Sequence, residues 1–390
     1  MLSINPTNPE IRTMNHDLKL VGQAQTAPLP AGKMPLKAER IARAKHAYST
    51  RRVPSNSMRL LLADLTQRPH AGDLVLAEVT GRGQHARIEL PCGRRSRMFV
   101  GDEIIVCYAN RYAPDQFEAV VPDDLGACAL VAGGGIAARM QSKRSGIKRA
   151  TPIRPLGLIA DSNGRRLNIK DWALPSATVT GKPPYTIAVV GTSMNAGKTT
   201  AAAKLIRGLV LSGLKVGAAK VTGTGAGCDS WFFTDAGADP VVDFTDAGLA
   251  STWGAGSKQH CRVLKCLGDH IHASGVDVTV LEIADGLLFD DTAQLLMSPA
   301  FGARVHGIVF AAGDAMGATA GVDWLRRRGF DVVAVAGRVT ASPLAIAETK
   351  RATGLPVLGS AELARAGVMQ RLADQLPALV NAAPLLAAEA

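Results

Sequence analysis

The run Gly191-Thr192-Ser193-Met194-Asn195-Ala196-Gly197-Lys198-Thr199-Thr200 sets a lysine and two hydroxyls directly after a glycine-bearing loop. A continuous apolar run at 186–190 precedes it, as expected of a strand buried on both faces. Ala201, Leu205, Ile206, Leu209 and Val210 follow at helical spacing, and Gly213 stands where a C-terminal stop is expected. Strand, loop and helix in this order form an anion cradle, because backbone amides and the positive helix end face phosphate oxygens. Gly197 lets the backbone come close, Lys198 neutralises charge on β- and γ-phosphates, and Thr199 offers its hydroxyl to Mg²⁺. The segment therefore reads as a nucleoside triphosphate loop. Five residues separate Gly191 from Gly197, one more than in the usual G-x-x-x-x-G-K-[ST], and position 192 is Thr.

Two further polar residues end apolar runs, Lys220 and Glu282. Nucleotide sites of open α/β sheets lie at the carboxyl ends of the strands. A carboxylate there holds Mg²⁺ directly or through water. A second lysine there stabilises charge on a transferred phosphoryl group. The plain alternatives are a strand-end surface lysine and a helix-cap or surface carboxylate. A second metal carboxylate is expected after Lys220, where Asp229 and Asp235 are candidates and Asp229 is preferred. Thr222-Gly223-Thr224-Gly225-Ala226-Gly227 precedes them, and either wraps an anion with its amides or forms a flexible loop.

The longer loop Gly191-Thr192-x-x-x-x-Gly197-Lys198-Thr199 resembles that of dethiobiotin synthetases. Gly213-Leu214-Lys215-Val216-Gly217-Ala218-Ala219-Lys220 resembles the second strand of that family, which ends in an active-site lysine. Val280-Leu281-Glu282-Ile283-Ala284-Asp285-Gly286 resembles its strand ending in a metal-binding glutamate. The likeness spans roughly 185–375. It implies ATP and Mg²⁺ as cofactors, Lys198 and Lys220 as catalytic groups, and Thr199 and Glu282 with an Asp around the metal. The implied reaction phosphorylates a small carboxylate or carbamate, as activation for ligation. A fainter resemblance, carried by 222–235 and Thr353-Gly354-Leu355-Pro356-Val357, is to an uncharacterised P-loop family that includes D-glutamate N-acetyltransferases. The N-terminal half does not resemble that family's Rossmann-like first domain.

Partitioning-type ATPases carry a signature lysine at the position of Ser193. GTPases use an Asn-Lys-x-Asp element, whereas the fifth expected strand is followed by Gly337-Arg338-Val339-Thr340. ATP is thus favoured by elimination. Three hypotheses stand: a kinase or ligase acting on a small anion, an acyltransferase whose loop holds coenzyme A phosphates, and a regulatory ATPase that engages a macromolecule.

These residues need a scaffold. Strands are expected at 186–190, 215–221, 277–283, 305–311 and 331–336, with helices at 197–211, 258–273, 321–328, 344–353 and 361–372. Such alternation implies an α/β fold, a parallel-sheet P-loop NTPase domain with helices on both faces. Residues 177–185 read as a linker, and 186–390 as the nucleotide-binding domain. Residues 58–176 show short β-like runs at 73–80, 86–90, 98–100, 103–108, 117–121, 156–161 and 166–169, the signature of a smaller β-rich barrel or sandwich. The stretch 125–140, with Gly133-Gly134-Gly135, reads as a helical or loop insertion. Residues 1–57 read as a flexible basic arm with a short helix at 37–47, so that deleting 1–50 leaves nucleotide binding intact.

The 390 residues are 47% hydrophobic and 20% charged, a globular composition without an apolar run long enough to span a bilayer. The start of the chain lacks the apolar core of a signal peptide, and a cytoplasmic enzyme is expected. The net charge of +11 draws on Lys33, Lys37, Arg40, Arg43, Lys45, Arg51 and Arg52, read as a solvated basic tail or an attractor of anions. Aromatic residues are only 4%, so stacking platforms are scarce and nucleic acid is not an expected partner. A small anionic substrate and a homo-oligomer, dimer or higher, are expected. The six cysteines form no C-x-x-C pair. His260, Cys261, Cys266, His270 and His272 match no zinc spacing and read as a helix with buried Cys and exposed His.

Overall fold

The computed structural model describes residues 32–373. In its N-terminal body five strands close on themselves. Thr151–Ala160 pairs with Leu74–Val79, which pairs with Glu103–Tyr108. That strand pairs with Ile136–Lys143, which pairs with Cys128–Ala132, and the last returns to Thr151–Ala160. The ring is a small barrel, and closure removes the open edges. Alternate residues feed two apolar clusters: Leu74, Leu76 and Ile105 join one, and Val75, Ala77 and Val106 the other. Both faces of these strands are thus buried. Outside the ring, Lys33–Pro35 and Leu60–Leu62 extend the sheet on one side, and Phe117–Val120 with Arg111–Tyr112 extend it on the other.

The C-terminal body is a six-stranded, wholly parallel sheet in the order Val241–Asp243, Val216–Lys220, Val278–Glu282, Tyr185–Gly191, Gly307–Ala311, Val332–Ala336. Ile187 and Val189 face the helix Lys198–Leu211 through Leu205 and Leu209. Ala188 and Val190 face the helix Ser257–Ala273 through Val263 and Leu267. Helices therefore cover both faces, and the chain has the expected α/β class.

Several expectations change. Residues 33–57 are not a free arm. They form Lys33–Pro35, the helix Ala38–Arg43 and the strand Lys45–His46, and they bury Leu36, Ile41, Tyr48 and Val53. Several of their basic side chains are paired: Arg40 with Glu103 at 2.6 Å, Lys45 with Asp102, and Arg51 with Asp246 at 2.6 Å. The stretch 125–140 is a strand pair, not a helix. The strand expected at 98–100 lies instead at Arg95–Arg97. The helix expected at 361–372 is split into Ser360–Leu363 and Val368–Ala373. A strand, Val241–Asp243, and a helix, Cys228–Ala236, were not expected. The helix Ser257–Ala273 forms, but its burial is reversed. His260 is fully buried, while Cys261 and Cys266 are half-buried. The part of the arm at 1–31 lies outside the described residues.

Candidate nucleotide site

The loop leaves the sheet at Gly191, where Thr192 N–H donates to Ala311 O at 3.0 Å. Gly197 sits at φ 100, a left-handed conformation that suits glycine, and the helix starts at the next residue. The first helical amides, of Lys198, Thr199 and Thr200, have no intrahelical acceptor and point out of the helix end. Lys198 is 6% exposed, and its Nζ donates to Ser193 O at 2.8 Å and Asp285 O at 2.7 Å. The ammonium is thereby held across the loop mouth. Burial pushes it down to about 8, against the charges of Glu282 and Asp285, with Lys220 adding to the lowering.

Thr199 Oγ1 donates to Glu282 Oε1 at 2.8 Å. Glu282 is 2% exposed, so it is neither a cap nor a surface charge, and its Oε2 is buried without a partner. Register explains the meeting. Glu282 lies opposite Val189 on one neighbouring strand and Lys220 on the other, all close to the carboxyl end of the sheet. Lys220 is turned to one side, where its Nζ donates to Asp229 Oδ2. Asp229 opens the helix Cys228–Ala236. Asp235 is exposed further along the same helix, on a different face.

Asp285 was quoted above only as part of a run. It adopts φ 61, and its buried Oδ1 has no partner. Burial pushes its carboxyl up, against the pull of Lys198 and Lys220. A polar residue directly after the strand that carries Glu282 was the signal that could have marked it. The N-terminal body also reaches the loop. Asn195 Nδ2 donates to Asp115 Oδ2 at 3.1 Å. Tyr112 stacks on Phe289 with ring centroids 4.5 Å apart, and Trp253 lies 5.7 Å from Tyr112. Together with Thr192, Ser193 and Asp285 these rings line a cavity of about 550 Å³ between the two bodies. No local pattern pointed to Tyr112.

The C-terminal body is thus a parallel α/β fold in which a strand inside the sheet runs through a P-loop into a helix. Its donor set also fits a hard cation: a hydroxyl and one carboxylate with a spare buried oxygen, the remaining positions being those that phosphate and water fill. Among the described residues no three His, Cys, Asp or Glu side chains cluster as a metal cage, the His260 group included. Nor is any described helix long and apolar enough to cross a membrane.

No protein-family model matches the chain, and no curated protein matches it. Solved structures do. The signal recognition particle 54 kDa protein of Aeropyrum pernix, in complex with GDP, matches 54% of this chain at 15% identity with a TM-score of 0.35. The match spans 50% of that protein's own length. The signal recognition particle receptor FtsY of Elizabethkingia anophelis, also with GDP, matches 52% of this chain and 68% of its own at 15% identity, with a TM-score of 0.34. Cell division protein FtsY of Thermotoga maritima matches 56% and 73% at 17% identity, with a TM-score of 0.32. At scores this low the likenesses carry no argument about site or activity, which rest on the geometry above.

Proposed function

We propose that the protein is a Mg²⁺-dependent enzyme that uses a nucleoside triphosphate, ATP by preference, to phosphorylate a small anionic metabolite. The observation that carries this reading is the pairing of Thr199 with Glu282, whose second oxygen is buried and free, beside the held ammonium of Lys198. Glu282 and Thr199 would hold the metal, which when bound screens charge between phosphates. The chain's own groups do the rest. The loop and first-turn amides cradle the phosphates, and Lys198 exchanges its carbonyl partners for phosphate oxygens. Lys220, directly opposite Glu282 on the neighbouring strand, is placed to offset charge on the transferred group once it leaves Asp229. The aromatic wall of Tyr112 from the other body with Phe289 and Trp253 restricts water at the loop mouth. A carboxylate or carbamate acceptor, activated for ligation, fits the resemblance of the loop and of the Lys220 and Glu282 strands.

Calorimetric titration with Mg²⁺–ATP and Mg²⁺–GTP tests the reading. ATP is expected to bind the wild type and to bind Lys198→Ala roughly 30–150-fold more weakly, the loss of about 2–3 kcal/mol of charge-assisted contact. If neither nucleotide binds, or if Lys198→Ala binds ATP as the wild type does, the proposal fails. A preference for GTP would remove only the assignment of the base.

A further inference from the structure

Arg111 and Tyr112 are consecutive on one short strand, so their side chains leave opposite faces. Tyr112 lines the cavity at the phosphate loop. Arg111 lines a second cavity, of about 470 Å³. The barrel body forms one wall with His85, Arg87 and Gly133-Gly134. The glycine-rich loop after Lys220 forms the other with Thr224 and Ala226, next to Cys228.

Arg111 is 8% exposed. Its terminal nitrogens donate to Val131 O and, at 2.9 Å, to Gln116 Oε1, both neutral acceptors. Its Nε is buried and has no partner. Among the described residues no carboxylate lies within ion-pair distance of it, and Asp115 acts on it only from further away. Burial pushes the guanidinium down to about 10, so it stays charged at neutral pH. A buried cation without a counter-ion is costly, and an anion in the adjoining cavity relieves that cost. The other groups agree. Burial, then Arg111, push the His85 imidazole down to about 4, so it adds no competing charge demand at neutral pH. Arg87 and Arg95 stand exposed at the rim. The one acid is Glu89, whose Oε2 already accepts from Gly227 N–H at 3.0 Å. Three guanidinium groups thus face one engaged carboxylate.

We propose that this second cavity binds a small di- or tricarboxylate, with one carboxylate on Arg111 and another at Arg87 and Arg95. Planar guanidinium forks match carboxylates. The proposal deepens the function above by naming the acceptor class. It rests on that reading for the ligand's role as acceptor, and on the cavity alone for its binding. The cavity lies next to the strand end that carries Lys220. Gly223, in the same loop as Thr224 and Ala226, packs against the stem of Lys220, whose Nζ takes Asp229 beside Cys228.

The test titrates the full chain with acetate, succinate, citrate and inorganic phosphate at matched ionic strength, by calorimetry and thermal shift. Succinate or citrate is expected to bind and stabilise, and acetate to bind much more weakly. Arg111→Gln is expected to weaken binding at least about 10-fold, the scale of one charge-assisted contact. Because Arg111 is buried, the exposed pair Arg87→Ala with Arg95→Ala is the second arm. It is expected to weaken binding roughly 3-fold or more with an unchanged melting temperature in the absence of ligand. Lys198→Ala is expected to keep carboxylate binding. If no carboxylate binds, if only inorganic phosphate binds, or if binding is lost in Lys198→Ala but kept in the arginine variants, the cavity is not a carboxylate site. Carboxylate binding without Mg²⁺–ATP binding would leave this site standing and sink the nucleotide reading.

Discussion

Lys198, Thr199 and Glu282 work through a few ångströms of geometry, and their legibility differs for a physical reason. Lys198 and Thr199 lie in one local motif whose strand, loop and helix are contiguous. Glu282 is 83 residues from Thr199 in sequence, and only the parallel register brings them together. It was legible through the resemblance of 280–286 to a strand that ends in a metal-binding glutamate, with which its place at the end of an apolar run agrees. Arg111 gave no such signal, since its burial comes from Val131, Gln116 and a body wrapped around it. Glu282→Gln tests the metal assignment at this scale. An amide keeps the shape and the hydroxyl contact but is a poor Mg²⁺ partner. The variant is expected to stay within about 1 kcal/mol of wild-type stability, because a buried carboxylate with one unpartnered oxygen is replaced by a neutral group of the same shape. It should need several-fold more Mg²⁺ to bind ATP. A Mg²⁺ dependence that overlays the wild type would remove Glu282 from the metal shell.

At the scale of elements, the C-terminal half was readable because buried parallel strands and amphipathic helices have distinct periods. Boundaries such as Lys198–Leu211 and Val332–Ala336 lie within a residue or two of expectation. The short strand Val241–Asp243 was missed because three residues show no period. The pair Cys128–Ala132 and Ile136–Lys143 was misread for another reason. Its alanines and central glycines carry little strand propensity, and closure of the barrel decides its form. Those glycines have a steric role. A Cβ at Gly134 would lie 2.0 Å from Gly225 O, a backbone atom of the opposite body. Gly134→Ala is therefore expected to push the glycine-rich loop away and lower stability by about 1–3 kcal/mol, the usual cost of overpacking. Gly302→Ala, with open space around it and no strained φ, is the control and should be near neutral. Thermal unfolding of the two variants decides; equal melting temperatures would mean that the loop yields freely.

The largest scale is where the reading of the arm changes most. The segment after the barrel's first helix carries Tyr48 and Arg51 into the other body. Tyr48 OH donates to Asp243 Oδ2 at 2.7 Å, and Arg51 meets Asp243 at 3.4 Å and Asp246 at 2.6 Å. Arg51 also lies over the Tyr48 ring, 3.9 Å from its centroid. Asp243 is 1% exposed and ends the strand beside Lys220, so this cluster fastens the N-terminal body to the edge of the nucleotide sheet. Deleting residues 1–50 would remove Tyr48 and the strand Lys33–Pro35, and is therefore expected to lower stability rather than to leave the chain unaffected. A single change isolates the effect. Arg51→Ala leaves two buried carboxylates with Arg52, 3.5 Å from Asp246, as the remaining cation. Removing one partner of a buried ion cluster costs about 3–5 kcal/mol, because the other charges stay desolvated. Arg51→Ala is expected to melt several degrees lower and to be cut faster by protease at 177–185, between the bodies. Tyr48→Phe, which removes one hydrogen bond, should cost about 1–2 kcal/mol. Adding Asp246→Ala to Arg51→Ala should recover part of the loss by removing one unpaired charge. If Arg51→Ala unfolds and is cleaved as the wild type is, the two bodies are held by their apolar contacts and the charged cluster is incidental.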